Sequence, residues 1–198
     1  MPVRRPADAP AAQVLRSAPE LAAQLAQPYA WDRKGEVPPG CAPWFAVPVF
    51  CAAGAPARVV SMYDRSFIRA AQARFGAAAG GPLPPLSAEA TAALDAADAA
   101  AASDALRLDM RLAPGDAQFL HSHVTWHARG AFSDGGDGLS GRHLLRLWLA
   151  PPADVAWELP AAFAPRYGDV AHDAAPPRGG IRVAGAAMCA PLTAEQPL

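Results

Sequence analysis

Hydrophobic positions recur with two different periods along this chain, and the change of period divides it. Up to about residue 102 the repeat is mostly helical. Residues 11–16 predict a short helix. Ser17 then reads as an N-cap, with Pro19 in the first turn and Glu20 closing a capping box; Leu21 and Leu25 share a face and Pro28 marks the end. Residues 64–75 (DRSFIRAAQARF) predict another helix, capped by Asp64, with Phe67, Ala71 and Phe75 on one face. Residues 76–85 read as a flexible Gly/Pro/Ala linker. Residues 87–102 predict an alanine-rich helix in which Leu94 is among the few large apolar side chains. Between the first two helices lie a charged loop over residues 31–40 and two aromatic or β-branched runs, 44–51 (WFAVPVFC) and 58–63 (RVVSMY). These predict a hairpin over residues 44–63, with Pro48 marking an edge or a bulge.

From residue 106 the period becomes two. Leu106, Leu108, Met110 and Leu112 point one way while Arg107, Asp109 and Arg111 point the other, which predicts a strand. Pro114, Gly115 and Asp116 make a tight turn, residues 118–127 a second strand, 130–141 a glycine-rich loop and 142–149 a third strand. On that last strand Arg142, Leu144, Arg146 and Trp148 share one face; His143, Leu145, Leu147 and Leu149 share the other. Residues 163–168 wrap the surface in this reading. The expected organisation is a disordered start over residues 1–10, one domain over 11–175 and a loose tail over 176–198. Its first half is mostly helical and its second half antiparallel β.

Composition narrows the function classes. A chain of 198 residues buries a real core within one domain, although alanine inflates its 52% hydrophobic share. Lys34 is the only lysine, and a formal net charge of −1 gives no general attraction to nucleic acid or anionic membrane. There is no apolar run of about 18 residues, so no transmembrane helix is expected. Residues 1–13 lack the apolar core of a secretory signal, and a cytoplasmic location is expected. Cys41, Cys51 and Cys189 form no CxxC unit and read as buried free thiols. No GxSxG elbow and no GxxxxGK[ST] loop is present.

The candidate chemistry is concentrated between residues 114 and 149. His121, His123 and His127 are spaced so that one regular strand would turn all three to the same side, and neutral imidazole is the commonest transition-metal ligand. The competing reading is that each histidine makes ordinary structural hydrogen bonds. Arg142 and Arg146 share an otherwise apolar strand face, which suits bidentate pairing with a carboxylate; a solvated face or an internal ion pair fits the pattern as well.

The segments PGDAQFL, HVTWHARGAF, RHLLRLWL, AFAPRYG and RGG, in that order, resemble the C-terminal half of the TauD/TfdA (taurine dioxygenase-like) family of iron(II)/2-oxoglutarate-dependent oxygenases. WDRKGEVPPG followed by PWF…PVF resembles the middle of bacterial members, so that the likeness runs over roughly residues 14–181. It implies a mainly β, α+β fold: a partial double-stranded β-helix, or jelly roll, with helices packed outside. It also implies iron(II) held by two histidines and one carboxylate, with 2-oxoglutarate as co-substrate. On this match His127 is the distal metal-binding histidine, Arg142 binds the far carboxylate of 2-oxoglutarate, and Arg146 meets an anionic group of a small organic substrate.

Two departures accompany the resemblance. The family's H-x-D/E motif, which carries the other two iron ligands, occurs nowhere in the chain, and Ser122 stands where asparagine is usual. The expectation is therefore an N-terminally truncated member, lacking the strands that carry the motif. With one metal ligand of three it would bind iron weakly at best, and His121 and His123 would be structural. A non-catalytic binding or assembly protein is the alternative, in which the truncated barrel is completed by a partner chain or associates with itself. A third reading, a cupin-like metal site, rests on Gly115 followed by His121, His123 and His127.

Overall fold

Proline and tight turns set the boundaries of the first elements in the computed structural model, which describes residues 14, 16–37, 40–54, 58–128, 144–147, 149 and 159–167. Helix α1 (Pro19–Leu25) begins with proline at a position where a missing N–H costs nothing, and it buries Ala22 and Leu25. Its N-cap is Ala18, which supplies no side-chain bond, and Ser17 lies in the helical turn before it. The predicted Ser17 cap is thus displaced by one residue.

Strand β1 (Pro28–Asp32) follows directly. It pairs antiparallel with β2 (Trp44–Pro48), in a register running from Pro28↔Pro48 to Asp32↔Trp44. The start of the predicted charged loop is therefore strand, because Tyr29 and Trp31 point together into the core, only 3% and 0% exposed. Trp31 donates its indole N–H to Val47 O across 2.9 Å and stacks on Phe45.

The predicted hairpin is shorter than expected. Strands β3 (Phe50–Ala53) and β4 (Arg58–Ser61) pair from Phe50↔Ser61 to Ala53↔Arg58, separately from β1 and β2. The interruption has a physical cause. Pro48 has no N–H to give, and the Val49 N–H leaves the ladder for Leu25 O at 2.9 Å.

Helix α2 (Arg65–Phe75) is capped as expected: Asp64 Oδ1 accepts from Ser66 N at 2.9 Å. Ile68 and Ala71 form its buried stripe, whereas Phe67 and Phe75 are half-buried. The supposed flexible linker is an ordered turn. A 3₁₀ segment (Ala77–Ala79) is closed by Ala77 N to Leu83 O and Leu83 N to Phe75 O, both 2.9 Å, and Leu83 is 6% exposed. Helix α3 (Ala88–Ala102) is capped by Ser87 Oγ, which accepts from Ala90 N at 3.0 Å. It packs against α1 through Ala90, Ala93, Leu94, Ala97 and Ala100, where small side chains permit close approach.

The period-two pattern after residue 106 does not become strand. The turn at Pro114 forms as read: Gly115 has φ +91°, Asp116 N donates to Ala113 O at 3.0 Å, and Ala113 N donates to Asp116 Oδ2 at 2.8 Å. Residues 106–112 and 117–128 flank it without a ladder, and Leu108, Met110 and Phe119 remain exposed. Alternation marks a surface able to pair, but a ladder needs a second strand beside it. Among the described residues, strand lies between 28 and 61, inside the half expected to be mostly helical, and the half expected to be β carries none. The described residues show small antiparallel sheets and helices rather than a jelly roll.

The chain divides into two compact units, Met1–His127 with Glu158–Gly168, and Ala128–Trp157 with Asp169–Leu198. A second 3₁₀ segment (Ala161–Phe163) and helix α4 (Ala164–Tyr167) belong to the first and pack against β2. Phe163 is fully buried there, and Arg33 Nη2 donates to Pro165 O at 2.9 Å. In the second unit, residues 144–147 and 149 are exposed and carry no strand assignment. The predicted strand is thus not formed at these positions. The glycine-rich loop, Arg142, His143, Trp148, His172, Cys189 and the predicted tail lie outside the described residues.

Candidate functional site

Strand β4 ends in Ser61, and this fully buried residue organises the histidine segment. Its backbone N–H donates to His123 O at 2.9 Å, and its hydroxyl lies 3.4 Å from the same oxygen. In return Trp126 donates its indole N–H to Ser61 Oγ at 2.8 Å. His123 Nδ1 lies 3.1 Å from Ser61 O. A carbonyl can only accept, so Nδ1 carries the proton and Nε2 is the basic nitrogen of this ring. Burial pushes the His123 pKa down. The Ser61 carbonyl opposes that shift and His121 adds to it, so the ring is neutral at pH 7.

Aromatic packing supports this junction. The Trp126 ring lies between Phe50, with centroids 5.3 Å apart, and Tyr63, at 4.5 Å. His123 packs near Phe163 at 5.8 Å. Tyr63 in turn donates to Asp98 Oδ1 at 2.5 Å, and its oxygen lies 3.2 Å from Leu94 O. Burial first, and Asp98 second, raise the Tyr63 pKa far above its ordinary value, so the phenol stays protonated. Arg65 Nη1 bridges Asp98 Oδ2 at 2.6 Å and Asp95 Oδ1 at 2.5 Å. A chain of polar and aromatic contacts therefore runs from α3 through Tyr63 and Trp126 to the residue just before His127.

The three histidines do not share a strand face. Val124 N and Thr125 N both fold back to His121 O at 2.9 Å, which makes a turn in the middle of the predicted strand. His121 is exposed, His123 half-buried and His127 exposed, and the His121 and His123 rings are 6.3 Å apart and steeply inclined. His123 is a structural residue, as expected. Among the described residues no three His, Cys, Asp or Glu side chains come together as a metal site. His127 offers a single imidazole, and with no H-x-D/E in the sequence these residues do not make up the two-histidine, one-carboxylate set that the resemblance implies.

Arg146 lies in the second unit and is exposed; His127 lies in the first, and Arg142 is outside the described residues. Among the described residues the expected buried thiols are not found. Cys41 is exposed and Cys51 half-buried, the latter with its pKa raised by burial. Sequence reasoning missed Ser61 and Trp126. Trp126 carried a usable signal, being the one large aromatic side chain between His123 and His127.

Comparison with known proteins bears on this segment directly. Residues 9–148 match the family described as "Taurine catabolism dioxygenase TauD, TfdA family". A curated relative, FR-33289 synthase of Streptomyces rubellomurinus (strain ATCC 31215), is 35% identical over 138 residues, covering 69% of this chain and 38% of the relative. The chain thus spans about two fifths of the length of the relative it matches. The matched stretch includes the Ser61 junction, His127, Arg142 and Arg146. The chain belongs to the TauD/TfdA family.

Proposed function

We propose that this chain forms the distal-histidine side of an iron(II)/2-oxoglutarate oxygenase site, and that it takes part in hydroxylating a small organic molecule only when an H-x-D or H-x-E pair is supplied from outside it. The observation that carries this reading is the family match over residues 9–148, which spans all three residues the resemblance assigns. His127 is the iron ligand in this proposal, Arg142 anchors the far carboxylate of 2-oxoglutarate, and Arg146 meets an anionic group on the substrate. Iron(II) would activate dioxygen as the oxidant, one oxygen atom going into succinate as 2-oxoglutarate loses carbon dioxide and the other into the hydroxyl of the product. The chain's own residues hold and orient; alone they do not complete the centre. A partial double-stranded β-helix and a cytoplasmic location belong to the same proposal.

The test is anaerobic calorimetry of iron(II) and then 2-oxoglutarate binding. It compares the chain alone with the chain co-expressed with an H-x-D-bearing segment of an intact family member. Binding is expected only in the second case, with loss of iron binding in His127→Ala and at least tenfold weaker 2-oxoglutarate binding in Arg142→Ala. Equal binding by both variants and the parent would overturn the assignment.

A second reading, a non-catalytic assembly role, is favoured by the exposure of Leu108 (53%), Met110 (58%) and Phe119 (81%) on either side of the Pro114 turn. Size-exclusion of the purified chain separates the two. A stable self-assembled species that still fails to bind iron(II) and 2-oxoglutarate when the segment is supplied supports assembly alone.

A further inference from the structure

We propose that Ser61 is a positioning residue for His127, acting through Trp126 and His123. This inference rests on the reading of His127 as an iron ligand, and it adds a residue distant in sequence to that side of the site. Ser61 engages the histidine segment at two points three residues apart: the backbone and ring of His123, and the indole N–H of Trp126.

Two anchors on one short stretch fix its direction as well as its place. The second anchor is the residue immediately before His127. With the Trp126 ring held between Phe50 and Tyr63 and its N–H held by Ser61, the residue from which the chain enters His127 is held in place. His127 itself is exposed, so burial of its own side chain does not place it. The turn at His121 tightens the same stretch from the other side, because Val124 and Thr125 both bond back to His121 O.

The Ser61 hydroxyl suits this task by size and by chemistry. It donates to His123 O and accepts from Trp126 Nε1, and so it satisfies two half-buried partners with one small group. Alanine would leave the half-buried Trp126 N–H without its Ser61 partner, which favours another rotamer of Trp126 and another exit direction for His127.

The experiment uses the full 198-residue chain, with isotope-labelled histidine and NMR of the imidazole groups. The His127 signal is identified by its loss in His127→Ala. One sharp His127 signal is expected in the native chain. In Ser61→Ala and in Trp126→Phe it is expected to shift and to broaden at least twofold, while the His172 signal stays in place. Ile68→Val, a destabilising change in the buried stripe of α2, is the control and should leave His127 unmoved. Trp126→Phe keeps an aromatic ring in the stack while removing the N–H donor with the rest of the indole, so it provides the second reading if Ser61→Ala fails to fold.

Two results overturn the proposal: an unchanged His127 signal in folded Ser61→Ala and Trp126→Phe, or a His127 signal already averaged over many conformations in the native chain. Because the readout needs no iron, it is separable from the functional reading. Displacement of His127 in a protein that binds no iron(II) even with the H-x-D segment would remove the metal assignment and leave the positioning role standing.

Discussion

Arg74 on α2 reaches both carboxylate oxygens of Asp32 at the end of β1, through one guanidinium nitrogen at 2.9 and 3.0 Å. Asp32 is only 1% exposed, whereas the Arg74 side chain is 54% exposed. The Lys34 backbone N–H also donates to Asp32 Oδ1, at 2.8 Å, so the carboxylate holds the β1–β2 connection and the helix together. Removing the cation would leave a buried carboxylate with one backbone donor. Arg74→Ala is therefore expected to lose roughly 3 kcal/mol of unfolding free energy. Adding Asp32→Asn to it should recover part of that loss, because the amide oxygen still accepts from Lys34 while the unpaired charge is gone. Urea denaturation of the two variants checks this; equal losses in both would show that the charge is not the cause.

Acid should loosen the Ser61 junction through His123. Its folded pKa lies below the ordinary value of 6.5, chiefly because the ring is buried. As pH falls through 6.5 the unfolded chain takes up a proton that the folded chain resists. The stability contributed by neutral His123 is therefore complete above that pH and declines as the pH drops toward the lower folded value. Unfolding free energies of the native chain and of His123→Asn at pH 7.5 and pH 5 provide the comparison. The native chain should lose more between those two values. A parallel loss would place the acid sensitivity elsewhere, in the carboxylates.

What the sequence made legible follows from the range of the forces involved. The cap at Asp64, the helix beginning at residue 87–88 and the turn at Pro114 rest on local signals, and they form where the pattern puts them. The family signal is spread over many residues and was readable as well. The pairing of Pro28 with Pro48 was not, because a charged stretch separates the partners and the inward side chains of β1 look like part of a loop. Residues 106–112 failed for the opposite reason: the alternation is real, but pairing depends on a strand that alternation cannot supply. The histidine spacing misled in the same way, since even spacing aligns side chains only on a regular strand and His121 O instead closes a turn. Ser61 was invisible because its role depends on partners 62 and 65 residues away.

The turn after α2 tolerates no side chain at Gly81. A Cβ built there would lie 2.2 Å from Phe75 O and 2.4 Å from Phe75 C, both backbone atoms that cannot rotate aside. Gly81→Ala must therefore shift the 3₁₀ turn or the end of α2, and with it the Leu83 N–H bond to Phe75 O. A loss of roughly 2 kcal/mol is expected, which lowers the melting temperature by roughly 4–8 °C in a protein of this size. Thermal unfolding followed by circular dichroism checks it. A melting temperature within about 1 °C of the native chain would show that the turn yields more easily than its backbone contacts imply.

Phe119 lies on the other side of the balance between stability and association. It is 81% exposed, and Leu108 and Met110, across the Pro114 turn, are exposed as well. A side chain that buries almost nothing contributes little to folding, so Phe119→Ser should leave the unfolding free energy within about 0.5 kcal/mol of native. The same change removes a large apolar group from solvent contact, and exposed apolar surface of this kind drives association. If assembly or a completing segment uses this surface, Phe119→Ser should move the size-exclusion profile toward the monomer, or weaken capture of the H-x-D-bearing segment, without changing the melting curve. Loss of stability in step with loss of association would mean that Phe119 belongs to the folded core of the chain itself. An unchanged elution profile with unchanged segment capture would remove this face from the assembly reading.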